Sequence, residues 1–164
     1  MDGTINSVPA NTLRGAAMTI SFLKDEGQPV RQSLKGVRLR KHADYQRAYA
    51  AGRKRQSASM SWFLAPQQAA YSGASLPESP RVGLTAGKVM GKAHERNRLK
   101  RRMRAAIGRH VELLPEGCDL IFHPRRAVLT MEFTKLEAEI VRILQQAGVE
   151  AERMRQQSSP AQAP

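Results

Sequence analysis

The sequence predicts one small α+β domain, with three helices on a mixed sheet of about four strands. Three observations lead there. Apolar residues recur at helical spacing in three segments, near residues 42–51, 93–114 and 134–148. Short apolar or alternating runs that read as strands lie among them, in the order helix, strands, helix, strand, helix. A chain of 164 residues suffices for one modest core with tails. The domain is expected over residues 37–150, after a flexible extension (1–36) and before a disordered, polar, Pro-containing tail (151–164).

Each element has its own signal. Residues 42–51 place Tyr45, Ala48 and Tyr49 on one helical face, and Gly52 follows as a C-terminal stop. A basic run, Arg53-Lys54-Arg55, comes next. Residues 59–65 read as a strand carrying Trp62 and Phe63, which must point to opposite faces, so at most one of them faces a given side. Residues 66–80 hold Gln, Ser, Gly and Pro and read as a loop. Val82, Leu84 and Ala86 alternate along a strand over 81–86. A long helix is expected over 93–114, ended by the segment 115–117. A strand over 119–123 is stopped by Pro124. Thr134 and Glu137 form a T-x-x-E capping box that opens the last helix. Leu136, Ile140, Ile143, Leu144 and Ala147 form its buried stripe, and Gly148 ends it.

Charge carries the functional signal. The chain has a formal charge of +13, and residues 31–104 hold 18 basic against three acidic residues. The densest stretch, K-A-H-E-R-N-R-L-K-R-R-M-R over 92–104, opposes seven cations with Glu95 alone. Such a run repels itself unless a polyanion is near. Leu99, Met103, Ala106 and Ile107 fall on one side of a helix at about 100° per residue. Asn97, Arg101, Arg104 and Gly108 fall roughly opposite, flanked by Arg98 and Arg102. The cations are therefore held on a folded helix, and arginine's planar fork suits phosphate. Nucleic acid is the expected partner. Tyr45 and Tyr49, four residues apart and followed by Arg53, Lys54 and Arg55, are a candidate platform for unstacked bases beside a cationic groove.

Several classes are excluded. No apolar run is long enough for a membrane span, no basic helix carries a bulky apolar face for a membrane surface, and no signal peptide is recognisable. Cys118 is alone, so a disulfide framework is absent and a reducing, cytoplasmic location is expected; the residue reads as a small buried hydrophobe. Gly87-Lys88 and Gly91-Lys92 fail the spacing of a phosphate loop, since three residues rather than four separate the glycines and Ala93 follows Lys92. His42, His94, His110 and His123 show no metal-ligand spacing. His94 and His110, about 24 Å apart along one helix, cannot act together on one phosphodiester.

The motif V-G-L-T-A-G-K at 82–88, followed by G-K-A-x-x-R-N-R-x-K-R at 91–101 with Arg104 beyond, resembles the signature of the bacterial ribonuclease P protein component. L-R-K-H-A-D-Y-Q-R-A-Y at 39–49 is similar to that family's first helix, and D-L-I-F at 119–122 to its late strand. The resemblance covers roughly 37–148. Val89 stands where a second Lys is common, His94 and Glu95 where apolar residues are usual, and Tyr replaces Phe at 45 and 49. His123-Pro124 interrupts the end of the late strand.

The resemblance implies a left-handed βαβ crossover around the basic helix and a holoenzyme of one RNA and one protein monomer. That enzyme removes the 5′ leader of precursor tRNA. The RNA supplies the active site and requires magnesium, and the protein holds no cofactor, metal or catalytic residue of its own. The RNA-binding residues implied are Lys88, Lys92, Arg96, Asn97, Arg98, Lys100, Arg101 and Arg104. The leader-binding cleft implied is lined by Tyr45 and Tyr49, with Arg53, Lys54 and Arg55 added by their position. The rival reading is a non-catalytic, ribosome-associated RNA-binding module, which shares the charge and fold class but stimulates no cleavage.

Overall fold

The sheet has the order β1-β2-β4-β3 and is mixed. Its strands are β1 (Arg53–Gln56), β2 (Met60–Pro66), β3 (Arg81–Leu84) and β4 (Cys118–Pro124). The structure, a computed structural model, describes residues 34–67 and 79–158. The expected extension up to residue 33, most of the expected loop (68–78) and the last six residues of the expected tail lie outside the described residues.

β1 and β2 form an antiparallel hairpin, closed where the Ser57 amide donates to the Met60 carbonyl at 2.8 Å. β2 pairs antiparallel with β4, and β4 parallel with β3. A parallel neighbour needs a crossover. It is supplied by α2 (Ala93–Gly108), which makes β3–α2–β4 a βαβ unit. The outer edge of β3 is covered by the chain around Arg38, through Leu39 N to Val82 O (2.8 Å) and Val82 N to Val37 O (2.6 Å). β1 is left as the other edge, and its four side chains are all exposed. Three cations in a row there deter pairing with another sheet.

The two sheet faces bury different partners. One face presents Trp62, Leu64, Val82, Leu120 and Phe122 to α2 and α4 (Phe133–Ser158), and this is the main core. The other receives α1 (His42–Ala51), with Leu39, Ala48, Ala65 and Ile121 in a smaller core. Trp62 is therefore core, and Phe63 faces α1. Cys118 is buried, as its sequence context predicts. Arg81 ties the α1 layer to the sheet: it donates twice to Asp119, at 2.7 Å each, and lies 3.7 Å from Asp44 of α1.

Several expectations need correction. The domain begins by Leu34, which packs against the main core, not at residue 37. The basic helix stops at Gly108, and a separate 3-10 turn covers Val111–Leu113. A short helix, α3 (Ala127–Thr130), makes four α-helices among the described residues, where three were expected. α1 ends at Gly52 in extended rather than left-handed backbone. α4 begins one residue before Thr134, and Glu137 does not form the predicted capping box. Its carboxylate instead accepts from Arg109 and His110, each at 3.0 Å.

α4 also runs through Gly148 to Ser158, where a disordered tail was expected from residue 151. Glycine costs a helix interior about 1 kcal/mol. Here burial of Ala151, packing of Met154 against the core, and the pairing of Glu150 with Arg53 and Arg55 offset that cost.

Candidate RNA interface

α2 is opened by a local device. Gly91 sits at φ 112°, ψ −161°, a region reserved for glycine. A Cβ there would overlap the Glu95 carboxylate, which accepts the Lys92 amide at 2.7 Å and caps the helix. Glu95 thus serves the helix N-terminus, where negative charge is favourable. It does not neutralise a basic side chain of the motif.

The basic residues of α2 divide by partner. Asn97, Arg98 and Arg101 are exposed, and so are Lys88 and Lys92 just ahead of them; Arg96 and Lys100 are half-buried. Among the described residues, none of the cations Lys88, Lys92, Arg96, Arg98, Lys100 and Arg101 pairs with a carboxylate. Arg102 behaves differently. It turns inward and donates to the carbonyls of Val128 and Leu129 (3.2 Å each) and of Met131, closing the end of α3. Gly108, expected on the open stripe, is buried, while Ala105 is exposed. The open face is rotated toward Arg98 and Ala105.

Arg104 marks where this surface meets a second one. With Arg38 and Lys100 it lines a narrow cleft floored by Val82 and Leu84. Its Nε is buried and has no hydrogen-bond partner among the described residues. Burial, and then the charge of Arg38, lower its pKa, an effect that the nearby Tyr45 partly opposes. Crowded cations of this kind are what a bound anion relieves.

The second surface is an aromatic cleft between α1 and the sheet. Tyr45 and Tyr49 are both half-buried, with ring centroids 6.5 Å apart. Tyr49 meets Phe63 edge-on at 5.0 Å and His123 at 5.5 Å. Phe63 and His123 are 5.3 Å apart. The cross-strand row Lys54, Phe63, Ile121, Gly83 runs beneath α1. Gly83 leaves room for the Tyr45 ring, which a Cβ there would approach to 2.7 Å and force to shift. Lys54 lies 5.9 Å from the Phe63 ring centroid.

His123 is wired into this cleft. Thr85 Oγ1 lies 3.2 Å from the Phe122 carbonyl and can only donate to it, which leaves the hydroxyl oxygen to accept from His123 Nδ1 at 2.7 Å. Nε2 then accepts the Tyr49 hydroxyl proton at 2.9 Å. This chain needs a neutral imidazole. Burial, and then the charge of Lys54, lower the His123 pKa and favour that form. Burial likewise raises the pKa of Tyr49.

The structure thus brings Tyr45, Tyr49 and Lys54 together and adds Phe63, His123 and Thr85, none of which the sequence alone assigned to the cleft. Strand alternation was the available signal for Phe63; nothing comparable marked His123. Arg53 and Arg55 do not join them. They project from the opposite face of β1 and donate to Glu150 of α4 at 3.2 and 3.0 Å. Their grouping with the tyrosines is corrected by the two-residue period of the strand.

A family model for ribonuclease P matches residues 34–148. This chain belongs to the ribonuclease P protein family. It is 35% identical over 111 residues to the ribonuclease P protein component of Chloroflexus aggregans, covering 67% of this chain and 76% of that protein. It is 31% identical to that of Symbiobacterium thermophilum, covering 70% of this chain and 94% of the relative. The fold is similar to the RNase P protein of Staphylococcus aureus (TM-score 0.58, 23% identity, 70% of this chain and 98% of that one). It is also similar to that of Thermotoga maritima (TM-score 0.57, 23% identity, 66% and 96%). Membership of this family implies an RNA partner in a ribonucleoprotein. The match ends at 148, so the last turns of α4, with Glu150 and Arg153, lie beyond it.

Proposed function

We propose that this chain is the protein subunit of ribonuclease P, binding the catalytic RNA through α2 and the single-stranded 5′ leader of precursor tRNA in the α1 cleft. The observation that carries this reading is the meeting of two surfaces at Arg104 and Tyr45: a cationic helix face with no acidic partner among the described residues and a half-open aromatic cleft. Lys88, Lys92, Arg96, Asn97, Arg98, Lys100 and Arg101 engage RNA phosphates, releasing counterions. Tyr45, Tyr49 and Phe63 offer rings to leader bases, and Lys54 attracts the leader backbone. The protein's contribution to rate is positional. It screens phosphate repulsion and orients the scissile bond against the RNA.

The active site is assigned to the RNA. Among the described residues no three His, Cys, Asp or Glu side chains gather as metal ligands. The buried carboxylates of Asp44, Asp119 and Glu150 are all engaged by arginines. In this reading the magnesium of the proposed holoenzyme is held by its RNA. The complex is read as one protein and one RNA, in the cytoplasm. No helix among the described residues is long and apolar enough to cross a membrane.

The test is reconstitution with a bacterial ribonuclease P RNA and a leader-bearing precursor tRNA at low magnesium. Cleavage at the mature 5′ end that requires both protein and RNA is expected. Cleavage by protein alone would overturn the assignment of the active site. Binding to several such RNAs without cleavage would favour a ribosome-associated RNA-binding module.

A further inference from the structure

A second groove lies on the other side of the molecule's β1 edge, between that strand and the outer face of α4. It encloses about 640 Å³. Arg55, Arg142 and Arg153 line it. All three are exposed, and among the described residues Arg142 and Arg153 have no acidic partner. Glu150 is the groove's acid. It is buried and held by Arg53 and Arg55, so its charge is already balanced twice over. Three amides, Gln56, Gln145 and Gln146, complete the polar lining. The Gln56 oxygen accepts from Arg125 at 2.9 Å, which leaves its NH₂ group as a free donor at the rim.

The chemistry of this lining selects its occupant. Guanidinium groups and amide donors recognise phosphate and ribose hydroxyls. Base recognition on an unstacked strand needs an open ring. The one aromatic here, Trp62, is 2% exposed and cannot serve. A site with cations and amides but no stacking platform reads backbone and shape, as expected for a folded, double-stranded RNA segment.

β1 and β3 are opposite edges of a four-stranded sheet, about 14 Å apart at ordinary strand spacing. α2 follows β3, so the groove and the motif helix start from different edges. The helix turn that supplies Glu150 and Arg153 lies beyond the residues matched by the family model.

The geometry points to a second RNA contact of this chain: the β1/α4 groove, with Arg55, Arg142 and Arg153, grips the phosphate backbone of a structured segment of the partner RNA, apart from the α2 surface. This rests on the reading of the chain as a ribonuclease P subunit.

The experiment compares the full chain with Arg142→Ala/Arg153→Ala and Arg98→Ala/Arg101→Ala double variants, binding an in vitro transcribed bacterial ribonuclease P RNA across a salt series with hydroxyl-radical footprinting. Both pairs are exposed, so thermal unfolding of each variant should match the parent and exclude misfolding. Loss of Arg142 and Arg153 is expected to raise Kd about 10-fold and to reduce the slope of log K against log salt by about 1.5. It should also remove a set of backbone protections different from the set lost with Arg98 and Arg101. The Arg142→Lys/Arg153→Lys pair should retain most of the affinity.

Unchanged affinity in Arg142→Ala/Arg153→Ala, with weakened binding in Arg98→Ala/Arg101→Ala, would overturn the groove assignment alone and direct attention to an acidic protein segment as its occupant. Loss of the same protections in both variants would also overturn it, as a single surface. Unchanged affinity in both would sink the underlying subunit reading.

Discussion

Arg101 and Arg102 are adjacent and chemically identical, yet the fold gives them opposite tasks. Arg101 faces solvent, whereas Arg102 satisfies three main-chain carbonyls. Arg102→Ala leaves those acceptors without their donor and should cost roughly 1–3 kcal/mol in urea unfolding. Arg101→Ala should stay within about 0.5 kcal/mol of the parent and act on RNA affinity. Equal stability of the two variants would refute the division. His123 offers a second residue-scale check. Its folded pKa lies below the ordinary 6.5, so the unfolded chain takes up the proton first. The stability tied to neutral His123 is complete above about pH 6.5 and is lost as pH falls through the folded value. The Tm advantage of the parent over His123→Asn should therefore shrink from pH 8 to pH 5, and an advantage constant across that range would contradict the wiring to Tyr49 and Thr85.

At the scale of elements, two helix boundaries decide the surfaces. The start of α2 depends on Gly91 and the Glu95 carboxylate. Gly91→Ala forces a side chain into glycine-only backbone and onto the cap, with an expected loss of about 1–3 kcal/mol and a lower helical signal in circular dichroism. The end of α4 depends on packing rather than propensity. Truncation after Gly148 would remove Glu150, release Arg53 and Arg55, and open the groove beside Trp62. Trp62 is the only tryptophan in the chain, so its fluorescence should shift to the red in the truncated protein. Unshifted emission would mean that the extension does not cover that edge of the core.

Across the whole molecule, the sheet separates two cationic environments. One face carries α1 and the aromatic cleft, and the other carries α2 and α4, with the groove at the β1 edge. If the six cations around α2 that pair with no carboxylate among the described residues each meet a phosphate, log K for RNA binding should fall with log salt at a slope of about −4 to −5. A slope near zero would remove phosphate contact as the basis of binding. The +13 charge makes such dependence expected but does not locate it; the absence of acidic partners around α2 among the described residues does.

The sequence by itself determined the α+β class, the bounds of α1, the basic helix with its buried Leu99, Met103 and Ile107, and the family, through the R-N-R-x-K-R motif. These are local properties of period and spacing, which a chain carries before it folds. Only the tertiary structure decided that Lys54 and Phe63 face the cleft while Arg53, Arg55 and Trp62 turn away. Alternation says that neighbours part, but not which layer covers which face. It also decided that Arg102 is a structural donor and that His123 sits in the cleft, because their partners lie more than twenty residues away in sequence. The length of α4 belongs to the same class. Gly148 is a local signal to stop, and the burial of Ala151 against the core, which no local rule contains, overrides it.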